Sequence, residues 1–234
     1  MSAHHKAVSR HRWQLSQQRE LAKWAGPEVL RKARDHARQV YLPYLLKYTA
    51  HLPEEMEILE IGPGPVCLSS MLEKGRKTFV DPLSDDFRRI YPGELPDGNY
   101  LVGMAEQIPC PDHSFDCIVA MNVLGYVLNP ELVLNELERL LRPRGLLFVG
   151  MTVFSSLEAR LQYFLHRCLP SLGPEGRPYC YSYDGIRRTL SRHFTIHRDI
   201  RLNSGLQGWQ AWLGRQERLF VCGLQGSRLP SDMS

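Results

Sequence analysis

Two acids and a pair of glycines are the residues best suited by type and spacing to bind a ligand. The run Glu60-Ile61-Gly62-Pro63-Gly64-Pro65 is followed, after a helix-compatible segment, by Thr78-Phe79-Val80-Asp81-Pro82. Glycines let the backbone pass close to a ligand where a Cβ would collide. A carboxylate at Asp81 is placed to accept hydrogen bonds from both hydroxyls of a ribose, with Pro82 beside it. Glu60, two residues before the first glycine, suits a cationic ligand. A dinucleotide site wants Gly-x-Gly-x-x-Gly, and Cys67 stands at the third position. It also needs open N–H groups for a pyrophosphate, which Pro63 and Pro65 lack. The pattern points to a nucleoside without a diphosphate.

These residues require a strand before the glycines, a helix after them and a second strand ending at the acid. Met56-Glu57-Ile58-Leu59 reads as the first, 68–74 as the helix and 78–80 as the second. Strands are predicted at 56–61, 77–81, 99–103, 115–121, 145–153, 194–203 and 217–226, with helices between them. The clearest helix is 129–141, where Asn129 is an N-cap, Pro130 takes the first turn and Val133, Leu137, Leu140 and Leu141 form a stripe. Arg142-Pro143-Arg144-Gly145 should end it. Alternating strands and helices imply a doubly wound, mostly parallel seven-stranded sheet covered on both faces. Helices at 13–25 and 27–52 precede it, joined at Gly26-Pro27, with Pro43 dividing the second. The organisation predicted is a helical extension over 1–52, a ligand-binding domain over 53–226 and a tail over 227–234. The sheet is expected to fold without residues 1–50.

The 234 residues are 43% hydrophobic, enough for one α/β domain. Residues 1–50 carry ten Lys/Arg against three Asp/Glu, so the net charge of +4 belongs to the extension. Its basic residues are interspersed with apolar ones, which argues against a nucleic-acid arm. Six scattered cysteines without a C-x-x-C pair fit neither a disulfide framework nor a zinc site, and no metal is expected. There is no apolar leader and no apolar run approaching about 18 residues, so a cytoplasmic protein is expected. Oligomeric state is not legible.

Glu60-x-Gly62-x-Gly64 resembles the first motif of the class I S-adenosylmethionine-dependent methyltransferases, and three later segments resemble theirs in the right order. Gly103-Met104-Ala105-Glu106-Gln107-Ile108-Pro109 stands where that family reads adenine, with Met104 in place of the usual carboxylate. Asp112-His113-Ser114-Phe115-Asp116 is similar to a turn before the fourth strand, where Asp116 and His113 read as structural and surface residues. Ala120-Met121-Asn122 leaves that strand beneath the methionine end of the cofactor. The resemblance, over about 55–225, implies a Rossmann-like fold whose last strand is antiparallel. It implies S-adenosyl-L-methionine as cofactor and S-adenosyl-L-homocysteine as product. Its cofactor residues are then Glu60, Gly62, Pro63, Gly64, Asp81, Pro82, Met104, Ala105, Glu106, Ala120, Met121 and Asn122.

Small-molecule relatives, including those of quinone biosynthesis, carry a Leu-His-His run where this chain has Leu124-Gly125-Tyr126, so no histidine role transfers. Methyl transfer to a small-molecule acceptor by in-line displacement is the function implied. RNA, protein or a lipid headgroup as acceptor, or a cofactor-binding scaffold without transfer, are the alternatives. No catalytic residue is legible. Tyr126, Tyr181 and Tyr183 are the candidate acceptor contacts, with the extension and 152–184 as walls. The tryptophans Trp13 and Trp24 read as packing residues.

Overall fold

The computed structural model describes residues 7–161, 177–202 and 214–229. Three helices come first: α1 (Arg10–Lys23), α2 (Pro27–Val40) and α3 (Leu42–Thr49). Ser9 caps α1 by accepting from the Arg12 N–H, and Pro27 and Pro43 sit in the first turns of α2 and α3, where no intrahelical donor is lost. Seven strands follow: β1 (Glu57–Ile61), β2 (Arg76–Val80), β3 (Asn99–Leu101), β4 (Phe115–Met121), β5 (Leu141–Val153), β6 (Phe194–Arg201) and β7 (Gln216–Leu224). Between them lie α4 (Ser84–Ile90), α5 (Pro130–Leu140) and α6 (Tyr183–Leu190).

The strands form one sheet in the order β3-β2-β1-β4-β5-β7-β6. Neighbours from β3 to β5 are parallel, and β7 runs antiparallel to both β5 and β6. This is the doubly wound seven-stranded sheet predicted, with its antiparallel last strand set between β5 and β6. Successive side chains of β4 go to opposite faces. Ile118 and Ala120 join Leu59, Ile61, Leu147 and Val149 beneath α5 and α6. Cys117 and Val119 join Ile58, Leu146 and Phe148 on the other face.

That second face is covered by the N-terminal helices. Ala37, Tyr41, Leu45 and Tyr48 share one buried cluster with Phe148, Leu219 and Val221, and the Tyr48 and Phe148 rings lie 6.4 Å apart. The expectation that the sheet folds without residues 1–50 therefore runs against the packing, because Ala37, Tyr41, Leu45 and Tyr48 cover this face of the sheet.

Other differences are local. The helix predicted at 68–74 is a single 3-10 turn, Leu68–Met71, and Gly75 then carries a φ of +83°. α4 fills the interval between β2 and β3, where a helix is expected; its first-turn acids Asp85 and Asp86 pair with Arg88 and Arg89. β5 starts at Leu141 and not at 145, through a register shift opposite Phe115 and Cys117. A Cβ at Gly145 would stand 2.9 Å from the Asp116 carbonyl, so this bulge requires glycine. The helix expected after Ser155 is seen over 156–161; its remainder and the Gly/Pro-rich loop lie outside the described residues.

Candidate functional site

The order of the sheet reverses between β1 and β4, and ligands of open α/β sheets bind outside the strand ends at such a point. A cavity of about 590 Å³ opens there, lined from both sheet halves by Gly62, Pro63, Gly64, Asp81, Pro82, Met104, Ala105, Glu106, Met121 and Asn122. Its size falls within the roughly 300–1,000 Å³ of small-molecule sites.

The turn after β1 is held in a left-handed shape at three residues. Gly62 and Gly64 have φ of +55° and +53°, and Cys67, opening the 3-10 turn, has +49°. The Gly62 N–H donates to the Val80 carbonyl at 2.8 Å, tying the turn to the end of β2. Glu60 lines the cavity too, but its carboxylate braces the turn. It accepts from the Leu68 N–H at 3.0 Å, the Ser69 N–H at 2.8 Å and the Ser69 hydroxyl at 2.6 Å. Burial pushes its pKa up to about 7 against the lowering effect of those donors.

Asp81 closes the same turn. Its Oδ2 accepts from the Gly64 N–H at 3.1 Å and its Oδ1 from the Leu83 N–H at 2.8 Å, leaving lone pairs on both oxygens. Burial raises its pKa to about 6, with a smaller push from the Glu20 carboxylate. Glu106 accepts from the Leu128 and Asn129 N–H groups at 2.6 and 2.9 Å, fixing the start of α5. At the end of β4, Asn122 has a φ of +58°, a region Asn tolerates better than most residues. Its Nδ2 donates to the Tyr41 hydroxyl at 3.3 Å, while Oδ1 is buried without a donor.

α1 and α2 roof the cavity. Trp13, Gln17, Glu20, Lys23 and Trp24 line it from α1 and its cap, and Lys32, Ala33, His36 and Ala37 from α2, with Tyr41 next in the same stripe. Gln17 donates to the Tyr126 carbonyl at 3.1 Å and Lys23 to the Tyr126 hydroxyl at 3.2 Å. Trp24 packs edge-on to Phe87 with centroids 6.2 Å apart and lies over Gly64, so this tryptophan both packs and faces the ligand space. The Tyr91 hydroxyl donates to the carbonyls of Trp24 and Gly26, pinning the α1–α2 junction to the end of α4.

Ala120, Tyr181 and Tyr183 are not brought to the cavity. Strand alternation turns Ala120 into the core beside Leu59 and Ile61, one residue before Met121 reaches the site. Tyr181 is buried in that same core, and the Tyr183 hydroxyl donates to Asp199 of β6 at 2.6 Å. Tyr126 does line the cavity and accepts from Arg177 Nε at 2.8 Å. Asp116 is structural, accepting from the Glu57 N–H at 2.9 Å, and His113 is exposed. The residues missed in the sequence are His36, Tyr41, Leu83, Val123 and Arg177. The i, i+4 stripe Ala33, Ala37, Tyr41 was visible, but not which way it faces.

Residues 59–149 match the methyltransferase domain family. The ubiquinone/menaquinone biosynthesis C-methyltransferase UbiE of Haemophilus ducreyi is 29% identical over 51% of this chain and 45% of its own. A ubiquinone biosynthesis O-methyltransferase of Agrobacterium fabrum is 32% identical over 47% of this chain and 46% of its own. The chain thus spans about half the length of the curated relatives it matches. Among solved structures, geranyl diphosphate C-methyltransferase from Streptomyces coelicolor superposes with a TM-score of 0.66 at 12% identity, covering 93% of this chain and 99% of that one. A putative methyltransferase from Bacillus halodurans gives 0.60 at 13% identity, over 80% and 99%. Residues 59–149 are thus similar to a methyltransferase domain, and the sheet that carries them has the fold of these solved structures.

Proposed function

We propose that this protein transfers a methyl group from S-adenosyl-L-methionine to a small-molecule acceptor in the cytoplasm, releasing S-adenosyl-L-homocysteine. The observation that carries this reading is the convergence of Gly62, Gly64, Asp81 and Asn122 on one roofed cavity at the β1/β4 switch point. The relatives in quinone biosynthesis support it, as does the Streptomyces enzyme, whose structure contains S-adenosyl-L-homocysteine.

The residues present fit that cofactor. Gly62 and Gly64 offer bare backbone where side chains would intrude, and the Asp81 oxygens have capacity for ribose hydroxyls. Pro82 and Leu83 face Met104 and Ala105 around the space for a purine. The Asn122 Oδ1, lacking a donor, suits the cofactor's amino-acid end. The bound cofactor supplies an activated methyl on a sulfonium. The protein's part is to orient it, to exclude water beneath α1 and α2, and to place the acceptor in line.

A small molecule is favoured over nucleic acid because several basic residues of the extension are engaged locally. Arg31 pairs with Glu28 at 2.7 Å and with Asp35 at 3.3 Å, and Arg34 with Glu94 at 3.4 Å. No helix among the described residues is long and apolar enough to cross a membrane.

Calorimetry with S-adenosyl-L-homocysteine is the direct test. Wild type is expected to bind it, and Asp81→Ala to weaken binding by tens-fold or more, since hydrogen bonds to a charged group contribute about 1.5–3 kcal/mol each. Unchanged affinity in a folded Asp81→Ala protein would remove the ribose role. A pH series gives an independent check. The ionised carboxylate is the form that accepts from a ribose, so affinity should be level above about pH 7. It should fall as the pH drops through about 6, the value at which buried Asp81 takes up its proton. A flat profile from pH 5 to 8 would contradict this.

A further inference from the structure

Where the cavity reaches the end of β4, it meets a group of polar side chains that cofactor binding does not account for. His36 of α2 is 40% exposed in its side chain and lines the cavity, with Nε2 3.5 Å from Oε1 of Glu217 on β7. The Tyr41 hydroxyl donates to that same Oε1 and accepts from Asn122 Nδ2. The His36 and Tyr41 rings stand edge-to-face, 5.8 Å apart at 80°.

Glu217 is out of place for a purely structural residue. It shares a face of β7 with Leu219 and Val221, both fully buried against α2 and α3, and is itself 7% exposed. An apolar side chain would continue that face, and a carboxylate is costly to bury unless it is paired. Among the described residues its ion-pair partner is His36.

We propose that His36 is the base that removes the proton of a phenolic acceptor during methyl transfer, with Glu217 and Tyr41 as positioning residues. This rests on the methyltransferase reading above and names its substrate class. With the Nε2–H directed at Glu217, Nδ1 is the basic nitrogen. As a lone pair on the phenolic oxygen forms the new O–CH3 bond, the C–S bond breaks and its electron pair stays on sulfur. The sulfonium becomes a neutral thioether, and the phenolic proton moves to Nδ1. The positive charge thus passes from sulfur to the imidazolium, which Glu217 stabilises. A phenol, with a pKa near 10, lies within reach of an imidazole near 6.5, whereas an aliphatic hydroxyl is far above it. Trp13, Trp24, Met121 and Tyr126 give the cavity the apolar and aromatic wall that an aryl ring needs.

The Glu217 carboxylate raises the His36 pKa above its ordinary value, against the lowering effect of burial. The other charged or titratable groups around His36 are Tyr41 and, one turn back on α2, Lys32, which pairs with Glu28 at 3.6 Å. Neutral His36 is the base, so methyl transfer to a phenol should rise with pH through a value above 6.5.

The test uses the full chain saturated with S-adenosyl-L-homocysteine and 4-nitrophenol, whose ionised form is yellow. Below the phenol's own pKa, wild type should bind it as the phenolate, giving the yellow band. His36→Gln should lose that band while binding S-adenosyl-L-homocysteine as wild type does. Methylation of phenols should fall by about 100-fold or more in His36→Gln, the usual scale for a general base. In Glu217→Gln the pH–rate rise should move down towards the ordinary histidine value, which loss of packing alone would not produce. A band of equal strength in His36→Gln, no band in wild type, or an unmoved pH profile in Glu217→Gln would overturn the proposal. Failure of wild type to bind S-adenosyl-L-homocysteine would instead overturn the methyltransferase reading.

Discussion

Gly62→Val is expected to abolish S-adenosyl-L-homocysteine binding and to lower the melting temperature on the order of 10 °C. Two costs add at this position. A Cβ there would lie 2.7 Å from Val123 Cγ2, on the cavity wall at the end of β4. A branched residue also disfavours the φ of +55° that the turn requires. Left-handed backbone costs about 1–2 kcal/mol and overpacking about 1–3. In a domain of this size each kcal/mol lowers the melting temperature by about 2–4 °C. Relief would move either the turn, which carries the Gly64 N–H to Asp81, or Val123, and both moves spoil the cofactor's seat. Gly64→Ala is the informative companion. Its Cβ would rest 3.5 Å from the Trp24 ring, an ordinary contact, so the fold should survive with only the backbone cost. Calorimetry and thermal melts read both variants. A Gly62→Val protein with wild-type affinity would show that the turn does not approach the ligand.

Removing residues 1–50 is expected to unfold the domain, whereas removing 1–25 is expected to leave it folded with weakened cofactor retention. The longer deletion takes away Leu30, Ala37, Tyr41, Leu45 and Tyr48, all buried. Each large apolar side chain contributes about 1.5–3 kcal/mol. Together they approach the 5–15 kcal/mol by which a typical domain is stable. The shorter deletion removes α1 and Trp24, which cover the cavity but bury little within the core. Circular dichroism melts should show no cooperative transition for the first and a clear one for the second. Calorimetry should show the second binding S-adenosyl-L-homocysteine at least several-fold more weakly than the full chain. A cooperative melt after the longer deletion would mean that the sheet stabilises itself without α2 and α3.

The sheet was legible because its strands are bounded by turn residues and alternate with helices, and the strand boundaries fell within a few residues of those observed. Gly62, Gly64 and Asp81 were legible for the same reason: a backbone that must approach a ligand needs glycine, and a ribose needs an acid at a strand tip. Cys67 shows where such reading stops. It occupies the third glycine position of a dinucleotide fingerprint and adopts a left-handed conformation that ordinarily favours glycine. His36, Tyr41 and Glu217 were not legible as a group. They meet only because α2 lies across the sheet and β7 is inserted beside β5, and neither fact has a local signature. Glu217 itself left a mark, an acid inside an apolar strand, that becomes informative once the face it shares with Leu219 and Val221 is known. The tyrosines Tyr181 and Tyr183 were misplaced because closeness in sequence to a loop says nothing about which side of the chain meets the ligand.

The position of β7 between β5 and β6 has a consequence for biosynthesis. The strand inserted into the middle of this part of the sheet is translated after both of its neighbours. A nascent chain that has emerged only as far as β6 has β5 with an unpaired edge, a site for illicit pairing with other chains. The same late segment brings Glu217 to its place beside His36 and Tyr41. A polypeptide that has emerged only as far as β6 therefore holds its glycine turn and Asp81 in an incomplete sheet, and β7, arriving after both neighbours, covers the edge of β5 and completes the His36–Glu217 pair together.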